Sequence, residues 1–372
     1  MKKWLAALAV LMVCLVPCAL SAGTIKIGVM CPLTGKWASE GQDMKNIVSL
    51  LVEEKNAQGG VAGNTIELVV EDDAGDPRTA ALAAQKLASA DVVAVIGTYG
   101  SAVTEASQNI LDESGIVQIG TGSTSIRLTE KGLPFFFRTC PRDDAQGQAA
   151  ANVIAKGGYK KIAVLHDNSS YAKGLAEESR AELKKHGVEV IFFDALTPGE
   201  RDYNAILTKL KSANPDLVFF TGYYPETGML LRQKKEMGWN VPMMGGDAAN
   251  HQDLVKIAGN DSAEGFFFVS PPLPQDMDSP AAKAFLLAYQ AKYNTVPVSV
   301  WAVLAGDAYK ALESAFAAGH TDAKSIAEYL HTLSGVEGFS GNLGFDAKGD
   351  RKGKFYRTYI VDNNGHFVLQ SE

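Results

Sequence analysis

The most constraining stretch of this 372-residue chain is Val92–Ser125, VVAVIGTYGSAVTEASQNILDESGIVQIGTGSTS. It holds two copies of one arrangement, an apolar strand running into a turn of Gly, Ser and Thr. The first copy, Val92–Ile96, turns at Gly97, Thr98, Tyr99, Gly100 and Ser101 and enters a helical pattern from Ala102 to Asp112. The second, Ile116–Ile119, turns at Gly120, Thr121, Gly122, Ser123 and Thr124. Glycine lets the chain turn sharply and bring backbone close to a ligand. Ser101 and Thr124 add hydroxyls beside N–H groups at or near a helix start. Two such turns side by side would hold a carboxylate. Ligands of open α/β sheets bind beyond the carboxyl ends of strands, but the same pattern also serves as an ordinary βα loop, so the remainder of the chain must decide between the two.

That remainder alternates strand and helix patterns. Strands are expected at 25–30, 66–71 and 135–138, with helices at 41–56 and 77–89. The pattern then restarts with strands at 162–166, 188–193, 217–221 and 241–245, separated by helices at 174–186, 204–212 and 227–237. Strands separated by helices imply parallel sheets with right-handed crossovers. A strand at 265–269 leads into the crossover Pro271, Pro272 and Pro274. Helices at 281–293, 300–318 and 323–333 and a terminal hairpin at 355–361 and 366–370 follow. The fold class is therefore α/β, with two doubly wound parallel-sheet lobes joined by several strands. The expected division is 24–142 with 271–351 in one lobe and 143–270 with 352–372 in the other.

Met1–Gly23 reads as a secretory signal peptide, with Lys2 and Lys3, an apolar run from Leu5 to Val16, then Ala19, Ser21 and Ala22 before a cut. The run is shorter than the about 20 residues a membrane span needs. Proline before Cys18 fits lipoprotein cleavage poorly. Export leaves about 350 residues, more than one core usually serves. Loss of Lys2 and Lys3 takes the formal charge from −7 to −9, and an acidic surface without basic runs argues against nucleic acid or anionic lipid as partner. The remaining cysteines, Cys31 and Cys140, leave a disulfide open.

The ordered segments IKIGVMCPLTG, NAQGGVAGNTIELVVEDDAGDP, VIGTYGS, GTGSTS, RTCPRDDAQG, LHDNSSYAKGLAE, FFTGYYPETG, MGGD and LGFDAKGD resemble the periplasmic leucine/isoleucine/valine-binding proteins. These are receptors of ATP-driven (ABC) amino-acid importers, with the bilobal type I periplasmic fold. The resemblance covers essentially the whole exported chain. It implies that Ser101 and Thr124 bind an α-carboxylate and that the Gly122 carbonyl and Asp247 hold the ammonium. Tyr171 and Tyr223 would pack over the ligand, with Trp37 and Tyr99 as apolar wall. It also implies closure of two lobes on an amino acid, a permease partner, a monomer in the periplasm, and no cofactor. A sensor or regulator binding an amide or another small carboxylate is the alternative on the same fold.

Two departures bear on the ligand's side chain. Relatives that bind leucine carry an aromatic where Glu40 stands and a phenylalanine where Ser299 stands. Glu40 either caps the helix beginning near Gly41, where an acid suits the helix dipole, or reaches the pocket and favours a polar or cationic ligand. Relatives with a disulfide between the DDA and VIG turns have cysteines where this chain has Gly75 and Gly100. Other candidates carry less. Asp72, Asp73 and Asp76 lack calcium-loop spacing, and Asp76 before Pro77 reads as a helix cap. Gly35-Lys36 is followed by Trp37 where a P-loop needs Ser or Thr. His166 and Asp167 have no partner nucleophile, which makes an enzyme the least supported class.

Overall fold

The computed structural model describes residues 23–370; the signal-peptide reading and Cys18 lie outside the described residues. The first lobe is built from β1 (Thr24–Cys31), α1 (Ala38–Ala57), β2 (Thr65–Asp72), α2 (Pro77–Ala88), β3 (Ala94–Ile96), α3 (Ser101–Glu113), β4 (Val117–Gly120), α4 (Arg127–Glu130) and β5 (Phe136–Arg138). Its five strands are parallel in the order β2-β1-β3-β4-β5. β3, β4 and β5 are buried throughout, as apolar runs covered on both faces should be.

The second lobe contains α5 (Asp143–Lys156), β6 (Lys161–His166), α6 (Ser170–Lys185), β7 (Glu189–Ala195), α7 (Asn204–Ala213), β8 (Leu217–Phe220), α8 (Tyr224–Glu236), β9 (Met243–Gly245), α9 (Asp253–Ala258), α10 (Asn260–Ala263) and β10 (Phe267–Ser270). The chain continues through α11 (Pro280–Tyr293), α12 (Val300–Ala317), α13 (Ala323–Thr332), a hairpin of β11 (Val336–Gly338) and β12 (Gly341–Leu343), and finally β13 (Arg357–Val361) and β14 (Phe367–Leu369). The second sheet runs β14-β13-β10-β9-β8-β6-β7, parallel from β6 to β10 and antiparallel at β13 and β14. α12, buried along most of its length, packs against α1 and β3, and α13 packs on β4. The Tyr289 hydroxyl on α11 donates to Asp43 on α1 at 2.6 Å.

Both sheets have a switch point where strand order reverses, between β1 and β3 and between β6 and β8. A crevice opens there because successive crossovers leave to opposite faces. The loops after β1 and β3, with the first turns of the helices they enter, carry Trp37, Glu40, Tyr99 and Ser101. The corresponding segments after β6 and β8 carry Tyr171 and Tyr223. Topology thus points these residues at one another before any side chain is considered.

Several boundaries differ from the sequence expectation. α6 starts at Ser170 because the Ser169 hydroxyl accepts from the Ala172 N–H at 3.2 Å, which brings Tyr171 into the first turn. α8 starts at Tyr224, since Pro225 is tolerated in the first turn of a helix. α5 and the β11–β12 hairpin are absent from the sequence reading. The buried face of α5 is Gln146, Gly147, Ala150, Ala151 and Ile154, too small and polar to give a strong helical period. Asp76 caps α2, accepting from Arg78 and Thr79, as expected.

The second Gly/Ser/Thr turn is fixed from behind. Arg138, fully buried, donates to the Ser123 and Ser125 carbonyls at 3.0 and 2.8 Å, to Thr129 Oγ1 at 2.8 Å and to Asp350 Oδ1 at 2.5 Å. Asp350 comes from far along the chain, so this cluster ties the turn to the segment leading into the second lobe. Arg138→Met should lower unfolding free energy by about 3 kcal/mol, because it leaves Asp350 without its main buried partner. Denaturant melts would show it; a loss under about 1 kcal/mol would mean that Arg142, also bonded to Asp350 at 2.8 Å, suffices alone.

Candidate functional site

The two Gly/Ser/Thr turns pack against each other. Ser123 Oγ donates to the Thr98 carbonyl at 3.1 Å, and the Thr98, Thr104 and Ser123 hydroxyls form a chain at 2.6 and 2.5 Å. The Ser125 N–H donates to Ser101 Oγ at 3.2 Å. A Cβ on Gly122 would lie 2.6 Å from the Tyr99 ring, so only glycine allows this approach. Thr124 Oγ1 is buried without a close partner and faces the Asp143 carboxyl. The Gly122 carbonyl accepts no hydrogen bond among the described residues. The first N–H groups of α3 lie at the same place, with Ser101 as its first residue and Gly100 as its cap. Hydroxyl and amide donors thus converge where an anion can be held.

Aromatic rings close the space between the lobes. Tyr223, at the N-cap position of α8, stands 4.4 Å from Trp37, 5.8 Å from Tyr99 and 5.2 Å from Tyr171, centroid to centroid. Trp37 meets Tyr99 edge to face at 5.2 Å. All four are at most 5% exposed. Hydrogen bonds across the gap hold the lobes together. Tyr224 donates to the Lys36 carbonyl at 3.1 Å, and Ser170 donates to Glu105 at 2.7 Å. Ser39 Oγ bonds Asp253 at 3.0 Å and His251 Nε2 at 3.2 Å. The Asp253 N–H donates to His251 Nδ1, so the ring proton is on Nε2 and points to Ser39. Burial pushes the His251 pKa down to about 4, which keeps the ring neutral. The cleft is closed.

Asp247 follows β9 and is fully buried. Tyr171 donates to its Oδ1 at 3.0 Å, while Gln146 and Tyr356 donate to its Oδ2 at 2.7 and 2.9 Å. Burial pushes its pKa up to about 7, and the three donors pull the other way. Asp143 lies nearby, also buried, accepting from Gln146 at 3.1 Å; burial, then the charge of Asp247, raises its pKa well above the usual carboxylate range. A second oxygen of Asp143 has no partner. This acidic end can stabilise a cation and is costly without one.

Trp37, Tyr99, Ser101, Gly122, Thr124, Tyr171, Tyr223 and Asp247 lie at this closed gap, and the ninth candidate, Glu40, stands three residues after Trp37. Glu40 does not cap α1. It is the third residue of that helix, whose N-cap is Trp37, and it is fully buried, with Ser299 Oγ donating to its Oε2 at 2.6 Å. The two positions where relatives carry aromatics are therefore bonded to each other. Gly75 and Gly100 both face Trp37: a Cβ would come within 2.6 and 2.9 Å of its ring. The indole fills the space between those two loops. Cys31 and Cys140 are buried free thiols. His166 and Asp167 make only loop hydrogen bonds, to the N–H groups of Asn168 and Ser169. Sequence reasoning missed Gln146, Asp143 and Tyr356. The signal for the first two was the acidic pair Asp143-Asp144 opening an alanine-rich run; none marked Tyr356.

A family model described as periplasmic binding protein matches residues 24–365. The chain belongs to the periplasmic binding protein family. A leucine-, isoleucine-, valine-, threonine- and alanine-binding protein of Pseudomonas aeruginosa is 35% identical over 344 residues, spanning 92% of this chain and 91% of the relative. A leucine binding protein from Thermotoga maritima matches with a TM-score of 0.87 at 31% identity, covering 93% of this chain and 98% of that one. A branched-chain amino acid transporter substrate binding protein from Streptococcus pneumoniae, in complex with isoleucine, matches with a TM-score of 0.84 at 32% identity, covering 93% and 100%. The bilobal α/β fold of periplasmic binding proteins is thus shared along nearly the whole described chain.

In this periplasmic binding protein the indole's place can be tested. Gly100→Ala should cost about 1–3 kcal/mol by crowding Trp37. Adding Trp37→Ala should recover part of that loss in a double-mutant cycle of denaturant melts. Strict additivity would contradict the contact.

Proposed function

We propose that this protein is an extracytoplasmic receptor that binds an α-amino acid between its lobes and delivers it to an ABC importer. The observation that carries the reading is the polarity of the cleft. Hydroxyl and amide donors around Ser101 and Thr124 occupy one lobe, and the buried carboxylate of Asp247 occupies the other. A zwitterion entering a closed gap gives up its hydration, so each of its charges must meet a fixed group of opposite polarity. Hydrogen bonds to charged groups contribute roughly 1.5–3 kcal/mol each.

In this reading Ser101, Thr124 and the α3 N–H groups take the carboxylate. Asp247 and the Gly122 carbonyl take the ammonium. Tyr171 has two roles, covering the ligand with its ring and fixing Asp247 through its hydroxyl. Trp37, Tyr99 and Tyr223 supply the apolar wall. Because the ligand bonds to groups of both lobes, Ser101, Gly122 and Thr124 on one side and Asp247 on the other, binding favours closure, and a permease can then distinguish loaded from unloaded receptor by shape. The names of the relatives, and the reading of Met1–Gly23 as a signal peptide, support placing this activity outside the cytoplasm.

The test follows from the ionisation of Asp247. Its pKa is raised, so the negative charge is present above about pH 7 and lost as pH falls through that value. An ammonium binds the charged form. Calorimetric affinity for the bound amino acid should therefore drop as pH is lowered through about 7. Asp247→Asn should bind more weakly by about 3–5 kcal/mol and lose that pH dependence. A wild-type profile flat from pH 5 to 8, with Asp247→Asn binding normally, would place the ammonium elsewhere.

A further inference from the structure

One buried acid beside the cleft is not used by the recognition of a zwitterion. Burial pushes its pKa up to about 8, so near neutral pH it is largely uncharged until a cation or donor meets it. Glu40 is fully buried, and its Oε1 has no hydrogen-bond partner. Its Oε2 accepts from Ser299, whose oxygen also caps α12 by accepting from the Trp301 N–H at 3.2 Å. The single proton of Ser299 is therefore committed, and it cannot serve Oε1. The Ala302 N–H also faces the carboxylate, so the start of α12 favours its charge but supplies no cation. The other charges acting on it most, Asp43 and Asp253, are acidic as well.

Glu40 is also close to the ligand region. It follows Trp37 by less than one helical turn. It is the leading charge acting on the Tyr99 phenol, and Tyr99 leads directly into Ser101. Its neighbour Ser39 already bonds across to the second lobe. A glutamate serving the dipole of α1 alone would turn toward water; full burial, with Oε1 lacking a close hydrogen-bond partner, is a costly arrangement unless a donor arrives with the ligand.

We propose that the ligand is an amino acid whose side chain ends in an N–H donor, cationic or amide, and that Glu40, held by Ser299, is the acceptor that selects it. This rests on the α-amino-acid reading of the cleft given above. Trp37 and Tyr99 line the path for the methylene carbons. Ser299 holds Oε2, which leaves Oε1 for the incoming group, and an aliphatic side chain would leave that oxygen buried without a donor.

Protein unfolded, dialysed and refolded to remove co-purified ligand would be titrated by calorimetry. The probes are lysine, ornithine, arginine, glutamine and asparagine against leucine, isoleucine and valine. The expected result is that at least one N–H-bearing amino acid binds tenfold or more tighter than every aliphatic one. Glu40→Leu should weaken that ligand about 10- to 100-fold while leucine binding holds or improves. Thermal melts confirm that the variant folds, and Glu40→Gln, which keeps volume and the Ser299 bond, should weaken cationic ligands more than amide ones. Tighter binding of leucine, isoleucine or valine would overturn the proposal and leave the amino-acid reading intact, as would unchanged selectivity in folded Glu40→Leu. Failure of every α-amino acid to bind would overturn both.

Discussion

The structure turns on the burial of one carboxylate. Asp247 is removed from water by α5, α6 and the segment entering β13. Its three neutral donors, Tyr171, Gln146 and Tyr356, offset only part of that desolvation. Buried acids without cations are unstable in their charged form, and Asp143 and Glu40 repeat the situation close by. Three buried acids whose charged forms are all disfavoured by burial lie in this region. In the proposed reading, a cationic group supplied by the ligand stabilises the charged form of Asp247. The molecule's preference for closure is then coupled to what the gap contains.

Everything around Asp247 serves to place it. Parallel order in each sheet creates a switch point, and the two switch points face each other. Rigid sheet ends carry the loops, and the loops carry the polar groups, so small changes of hinge angle move whole sets of donors together. The Arg138–Asp350 cluster fixes the second Gly/Ser/Thr turn in place. The aromatic group excludes water, which strengthens the polar interactions it encloses. Latches such as Ser39 with Asp253 and Tyr224 with Lys36 are peripheral, and closing energy spread over several such bonds stays reversible.

Much of this was legible in the sequence where the signal is local. Alternating apolar runs announce the strands, glycine turns announce βα loops, and Ser101 announces a hydroxyl at a helix start, whereas Thr124 lies in the turn ahead of α4. The family resemblance placed Tyr171, Tyr223 and Asp247. What was not legible depends on contacts across the fold. Nothing near Glu40 in sequence reveals that it meets Ser299, more than 250 residues away. The role of Trp37 as the filler between Gly75 and Gly100 needs three separate loops in one view. Gln146 was hidden because α5 has an alanine face with little hydrophobic period, and Tyr356 because it lies outside any regular element.

The central claim is that the two lobes close on an amino acid whose ammonium is held by Asp247. Small-angle scattering measures this most directly, on refolded protein alone and after saturation with a mixture of the twenty amino acids. The radius of gyration should fall on saturation for the wild type and stay at the unsaturated value for Asp247→Asn. A wild-type radius that does not change, under conditions where calorimetry shows binding, would contradict the account and mean that the site is rigid.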